Sequence, residues 1–129
     1  KSLKSAIQRN AAQTAAWLLT RANEVNGIPL ITQNFPDSDA DYLQAVVDAL
    51  KSRFKGVIVL GGAMNGAVAL VANVTPDFTA KVQAGKIIQA IAPTVGGKGG
   101  GKPDNARGGG KDASKLDEAL AKAKSLLEN

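Results

Sequence analysis

The sequence predicts an α/β fold: a small mixed β-sheet flanked by helices and preceded by one long amino-terminal helix. Three observations carry this. Short runs rich in Val, Ile and Leu at 28–33, 56–61 and 67–74 have the length and composition of strands. Around them, apolar residues recur at steps of three, four and seven, the helical period. Only 4% of the 129 residues are aromatic, so the core that a chain of this length can bury is aliphatic.

From Lys1 to Asn26, the residues Leu3, Ile7, Ala11, Leu18, Ala22 and Val25 fall near one face of a helix, with Trp17 just off the stripe. Asn26-Gly27 stops it, Gly27 being free to turn left-handed past a helix end. The stripe packs either on the body of the domain or on a second chain, and Trp17 is expected to be buried in either case rather than stacked on a base. Two parts follow: a helical segment over 1–26, offering a possible homodimer contact, and a globular domain over 27–129.

Ile28 to Gln33 is a short strand closed by an Asn34-Phe35-Pro36 turn. Asp37 to Phe54 is a helix, capped by Asp37 or Ser38, with Tyr42, Leu43, Val46, Val47 and Leu50 on its apolar face. Gly56 to Gly61 is continuously apolar, as a strand covered on both faces must be. Asn65-Gly66 marks a hairpin into a return strand, Ala67 to Val74. Thr75-Pro76-Asp77 opens a further helix running to about Ala92, where Pro93 follows. A last helix, about Asp112 to Glu128, aligns Leu116, Ala119, Leu120, Ala123, Leu126 and Leu127.

The chain contains no cysteine and no histidine. Disulfides, thiolate metal sites and every nucleophile or base scheme built on Cys or His are therefore excluded. Asp37, Asp39 and Asp41 resemble part of a calcium loop, but no following Gly and Glu fit that pattern, so they cap and solvate a helix start. No catalytic residues and no metal or cofactor site are expected. No stretch approaches the roughly 20 apolar residues that span a bilayer, no signal peptide opens the chain, and no methionine begins it. The expectation is a piece of a longer cytoplasmic polypeptide with no membrane partner.

The formal charge of +5 is unevenly placed. Residues 1–26 carry +3, residues 27–85 carry −1, and residues 86–129 carry +3. Within 86–111, Lys86, Lys98, Lys102, Arg107 and Lys111 stand against Asp104 alone, giving +4. Such a patch suits a polyanion, although a solvated basic loop is also compatible with it. The cations interleave with a glycine-rich loop over 95–111, eight of whose residues are glycine. Flexible tether and structured anion-binding loop both remain open for it, since glycine allows mobility and close backbone approach alike. A nucleotide P-loop does not fit. The nearest match, Gly96 to Gly101-Lys102, follows a helix rather than a strand, and Pro103 occupies the Ser/Thr position. The Lys102-Pro103-Asp104-Asn105-Ala106-Arg107 interlude favours an ordered segment, because a tether has little use for it.

The run Val95-Gly96-Gly97-Lys98-Gly99-Gly100-Gly101-Lys102-Pro103-Asp104 resembles the signature of the carboxy-terminal domain of bacterial alanyl-tRNA synthetases. This is the DHHA1-type domain, named for its association with the DHH phosphoesterases. The likeness extends back through Val25-Asn26-Gly27, Gly56 to Leu60, and Asp77 to Gly85-Lys86. It departs after Pro103-Asp104, where the family motif has methionine, alanine, glutamine, alanine and two glycines. Here Asn105 replaces the methionine, Arg107 replaces the glutamine, and Gly108 to Gly110 follow. The DHH phosphoesterases have a histidine where this chain has Lys102.

The resemblance implies a non-catalytic tRNA-binding domain that grips the outer corner, or elbow, of the L-shaped molecule. Upstream domains of the same polypeptide would carry aminoacylation and editing, and this one would help present a single tRNA, alanine tRNA by family, to both. The preceding helix would contribute to dimerisation. Candidate contacts are Lys98, Lys102, Arg107 and Lys111 on phosphates, with Gly99, Gly100 and Gly101 permitting close approach; Lys86 and Arg9 are weaker candidates. Recognition would rest on RNA shape, phosphates and 2′-hydroxyls, since duplex RNA hides its base edges. Two alternatives stand beside it: the substrate-binding half of a DHH-type phosphoesterase acting on oligonucleotides, and a dimerisation element.

Overall fold

A computed structural model describes residues 2–36, 38–64 and 66–128, with side chains described for all of these except 2–10, 36 and 128. The elements run α1 (Ser2–Leu19), β1 (Asn23–Val25), β2 (Ile28–Pro36), α2 (Ala40–Lys51), β3 (Val57–Met64), β4 (Ala67–Val74), α3 (Ala84–Ile91), β5 (Lys98–Gly101), β6 (Asn105–Gly110) and α4 (Leu116–Glu128). All six strands form one sheet in the order β1-β2-β3-β4-β6-β5. Only β2 and β3 pair in parallel, with α2 as their crossover; the remaining pairs are antiparallel. The expected mixed sheet with flanking helices is what the chain builds.

Alternation along the central strands divides the core in two. Val57 and Val59 of β3 join Leu30, Leu70 and Ala72 on the side covered by α3 and α4. Ile58 and Leu60, one residue out of phase, join Ile31, Val71 and the buried face of α2 on the other. Every side chain from Val57 to Leu60 is fully buried, which explains why that run shows no polar residue. Against α2 lies α1, through Ala11, Ala15 and Leu18, with a 2.7 Å hydrogen bond between Thr14 Oγ1 and Tyr42 Oη. Its stripe thus packs within the chain; the side chains of Leu3 and Ile7 lie outside the described residues.

Several boundaries differ from the sequence reading, each for a local reason. The first helix ends at Leu19, not Asn26, and residues 23–25 pair as a strand with 28–30. Asn26 and Gly27 have φ of 55° and 80°, so they form the tight turn of a hairpin rather than a helix stop. The turn expected at 34–36 is instead the end of β2, held in register against Gly61 to Ala63. The helix expected over 37–54 is shorter, and Asp39 caps it by accepting from the Tyr42 N–H at 3.0 Å. The proposed cap Asp37 lies outside the described residues. Past Thr75 there is only a 3₁₀ turn, Pro76–Phe78, before α3 begins at Ala84. The Thr75 hydroxyl does not cap it, because it accepts from the Gly56 N–H at 2.9 Å and ties β4 to the start of β3. Leu126 is 37% exposed and Trp17 46% exposed, so neither belongs to the core.

Candidate nucleic-acid interface

The glycine-rich segment is neither tether nor loop. It folds into the β5–β6 hairpin and extends the sheet, β6 pairing with β4 along six residues. Its glycines are used mostly against its own neighbours. A Cβ at Gly108 would come within 2.6 Å of the Ile88 Cγ2 on α3, and one at Gly99 would meet the same methyl. At Gly97 it would overlap the carbonyl oxygen of Gly109. The helix therefore sits closer to this hairpin than any side chain there would allow. Gly99 was expected to make room for a ligand, and the group that takes that room is Ile88.

The interlude at 102–105 is an ordered turn with a task of its own. Lys102 N–H donates to the Asn105 carbonyl at 2.9 Å and closes the hairpin. The carbonyls of Pro103 and Lys102 accept from Ala84 and Gly85 N–H at 2.7 and 3.1 Å. They satisfy the opening turn of α3, whose N-cap residue Gln83 offers no side-chain bond. The Asp104 carbonyl accepts from Val74 N–H at 2.9 Å and fixes the turn to the end of β4.

The hairpin's other face is open. Lys98 stands opposite Gly109 and Gly100 opposite Arg107, so Lys98 and Arg107 share a face separated by glycines. Arg107 is also paired with Val71, whose side chain enters the core on the α2 side. On that side α2 covers β3 and β4 and reaches the hairpin by a side chain: Gln44 Oε1 accepts from Arg107 Nε at 3.1 Å. Between helix and hairpin lies a groove of about 420 Å³ lined by Gln44, Lys51, Gly100, Gly101, Lys102, Asp104, Asn105, Ala106 and Arg107.

Lys98, Lys102, Arg107 and Lys111 are all exposed. Among the described residues none of the four is in an ion pair; those present join Lys51 to Asp48, Lys55 to Asp77 and Lys115 to Glu118. Lys102 and Arg107 meet in the groove, Lys98 lies further along the same face, and Lys111 follows β6 at the far end. Lys86 belongs elsewhere, lining a smaller cleft with Gln83, Gln89 and Pro103 beside α3. Arg9's side chain is outside the described residues. The sequence reading missed Gln44 and Lys51. Their signal was a polar flank on α2 (44, 48, 51), but only the strand order shows that this flank borders the basic hairpin.

Among the described residues no cluster of acidic side chains could hold a metal ion, and no helix is long and apolar enough to cross a membrane. The open face offers cations, amide groups and bare backbone, chemistry suited to phosphate and ribose oxygens.

The DHHA1 domain family matches residues 27–129. Alanine–tRNA ligases from Ralstonia nicotianae and Idiomarina loihiensis are each 41% identical over 94% of the chain, and that from Thiobacillus denitrificans is 38% identical over all of it. The chain spans only 14–15% of the length of these relatives. Among solved structures, the C-Ala domain of Aquifex aeolicus alanyl-tRNA synthetase superposes with a TM-score of 0.77 at 28% identity, covering 84% of this chain and 98% of that one. A DHH-domain protein described as a member of the s1p family of ribosomal proteins shares the fold at a TM-score of 0.53 and 17% identity, over 94% of this chain and 32% of that one. The chain belongs to the DHHA1 domain family and has the fold of the C-Ala domain.

Proposed function

We propose that this chain is the carboxy-terminal, non-catalytic domain of a cytoplasmic alanine–tRNA ligase and binds tRNA at the elbow through the open face of β5–β6. The observation that carries the reading is the placement of the exposed Lys98 and Arg107 on the hairpin face opposite α3, with Lys102 in the adjoining turn; among the described residues none of the three is in an ion pair. Cations there meet the phosphate backbone, while the glycines between them keep the surface low enough for the backbone to lie against it. The domain needs no cofactor of its own. Aminoacylation and editing belong to the upstream domains, and holding the elbow keeps one tRNA within reach of both.

The test is a salt series of binding to full-length alanine tRNA and to an acceptor-stem minihelix that lacks the elbow. With about four phosphates neutralised, log affinity falls against log salt with a slope on the order of −3. The full-length molecule is expected to bind more tightly than the minihelix at every salt concentration. Equal affinity for both would reject elbow recognition, and a flat salt dependence would reject the phosphate contacts. Manganese-dependent nuclease activity in the purified chain would instead support the phosphoesterase alternative.

A further inference from the structure

Arg107 is exposed but held. Its Nε donates to Gln44 Oε1 at 3.1 Å, Gln44 Nε2 donates to Asp48 Oδ1 at 3.0 Å, and the same Asp48 oxygen is 3.3 Å from Lys51 Nζ. Positions 44, 48 and 51 follow one flank of α2 at helical spacing, so the relay runs from strand β6 onto a helix that the glycine segment does not include. Asp48 can only accept, which turns the Gln44 amide nitrogen toward it and leaves the amide oxygen for Arg107. A guanidinium carries five N–H donors, and binding through Nε leaves the four on its Nη atoms. Those four form a planar fork that matches two oxygens of one phosphate, which an ammonium cannot do.

We propose that Gln44 is a positioning residue that presents the Nη fork of Arg107 to one phosphate of the bound RNA. In this arrangement Asp48 fixes Gln44, and Lys51, which lines the same groove, supplies a further cation to the same backbone. The inference rests on the RNA-binding reading above and extends it to an uncharged residue that charge patterning does not reveal.

The experiment is a double-mutant cycle, with binding of the 129-residue chain to alanine tRNA measured across salt concentrations for the parent, Gln44→Met, Arg107→Lys and the double variant. Gln44→Met is expected to lose about threefold to tenfold in affinity, the range of a single hydrogen bond, with an unchanged salt slope because no charge is altered. Arg107→Lys keeps the charge and loses at least as much, and the double variant is no weaker than Arg107→Lys alone. Lys51→Ala is expected to reduce the slope by about 0.7–0.9. Parent-like binding by Gln44→Met, or an undiminished loss in the Arg107→Lys background, would overturn the positioning role while leaving RNA binding intact. An unchanged slope in Lys51→Ala removes Lys51 from the interface. A parent chain without salt-dependent binding overturns the functional reading, and this inference with it.

Discussion

At single residues, the structure separates two reasons for glycine that the sequence shows as one composition. Gly27 has open space around it but φ of +80°, whereas Gly97 has no such dihedral and faces the Gly109 carbonyl. Gly27→Ala is therefore expected to cost about 1 kcal/mol through backbone strain alone. Gly97→Ala has no flexible side chain to displace, so it is expected to cost upward of about 2 kcal/mol. Urea denaturation midpoints with unchanged slopes would show this order, and an equal cost at both sites would contradict it. The same contrast applies on α1. Trp17 lies outside the core with Arg21 5.0 Å over its ring, while its neighbour Leu18 is fully buried. Leu18→Ala is expected to destabilise by about 2–5 kcal/mol, and Trp17→Ala by about 1 kcal/mol or less. Size and hydrophobicity misplaced Trp17, because helix phase decides burial and it sits off the Ala11-Ala15-Leu18 line.

Among the elements, the β5–β6 hairpin is the informative case. Its register makes Gly100/Arg107 and Lys98/Gly109 the bonded pairs, since Lys102 already bonds Asn105. Ala106, Gly108 and Gly110 then face β4, whereas the amides of Gly99 and Gly101 point away from the sheet along its edge. Hydrogen exchange of the chain without RNA is expected to protect the first three more strongly than the last two, with Ala84 and Gly85 protected alongside them through the turn carbonyls. Uniformly fast exchange over 95–111 would return the segment to a tether. The other strands were legible because periodicity and turn residues report on local contacts: β4 spans Ala67–Val74 as expected, and β3 begins where expected but runs on to Met64, past Gly61. Glycines carry no such pattern. Their strand state depends on β4, 30 or more residues away in sequence, and on Ile88 filling the space they leave. The same limit hid the boundaries around α3, whose opening turn is satisfied by carbonyls of a later turn and not by Thr75. Asn26-Gly27 is different: its hairpin was available from the rule applied at 65–66 and was obscured by the apolar spacing on either side.

For the molecule as a whole, the formal charge of +5 is divided between two faces. On the α3–α4 side, Lys122 and Lys124 stand exposed on α4. On the opposite side lie Lys98 and Arg107, with Lys102 in the groove beside them. The four cationic candidates were legible from clustering, because the hairpin keeps residues adjacent in sequence close in space. Gln44 and Lys51 were not, since only the sheet order β4-β6-β5 brings α2 to the hairpin. Two double substitutions discriminate between net charge and surface. Lys98→Ala with Lys102→Ala, and Lys122→Ala with Lys124→Ala, each lower the net charge by two, from +5 to +3. If tRNA is drawn by overall charge, the two variants weaken binding alike. If it lies against the open hairpin face, the first reduces the salt slope by about 1.5, two phosphate contacts' worth, while the second leaves the slope near that of the parent. The steepness of the salt dependence, more than the affinity at any one concentration, counts the contacts made, and the same number of charges removed from the wrong face should not change that count.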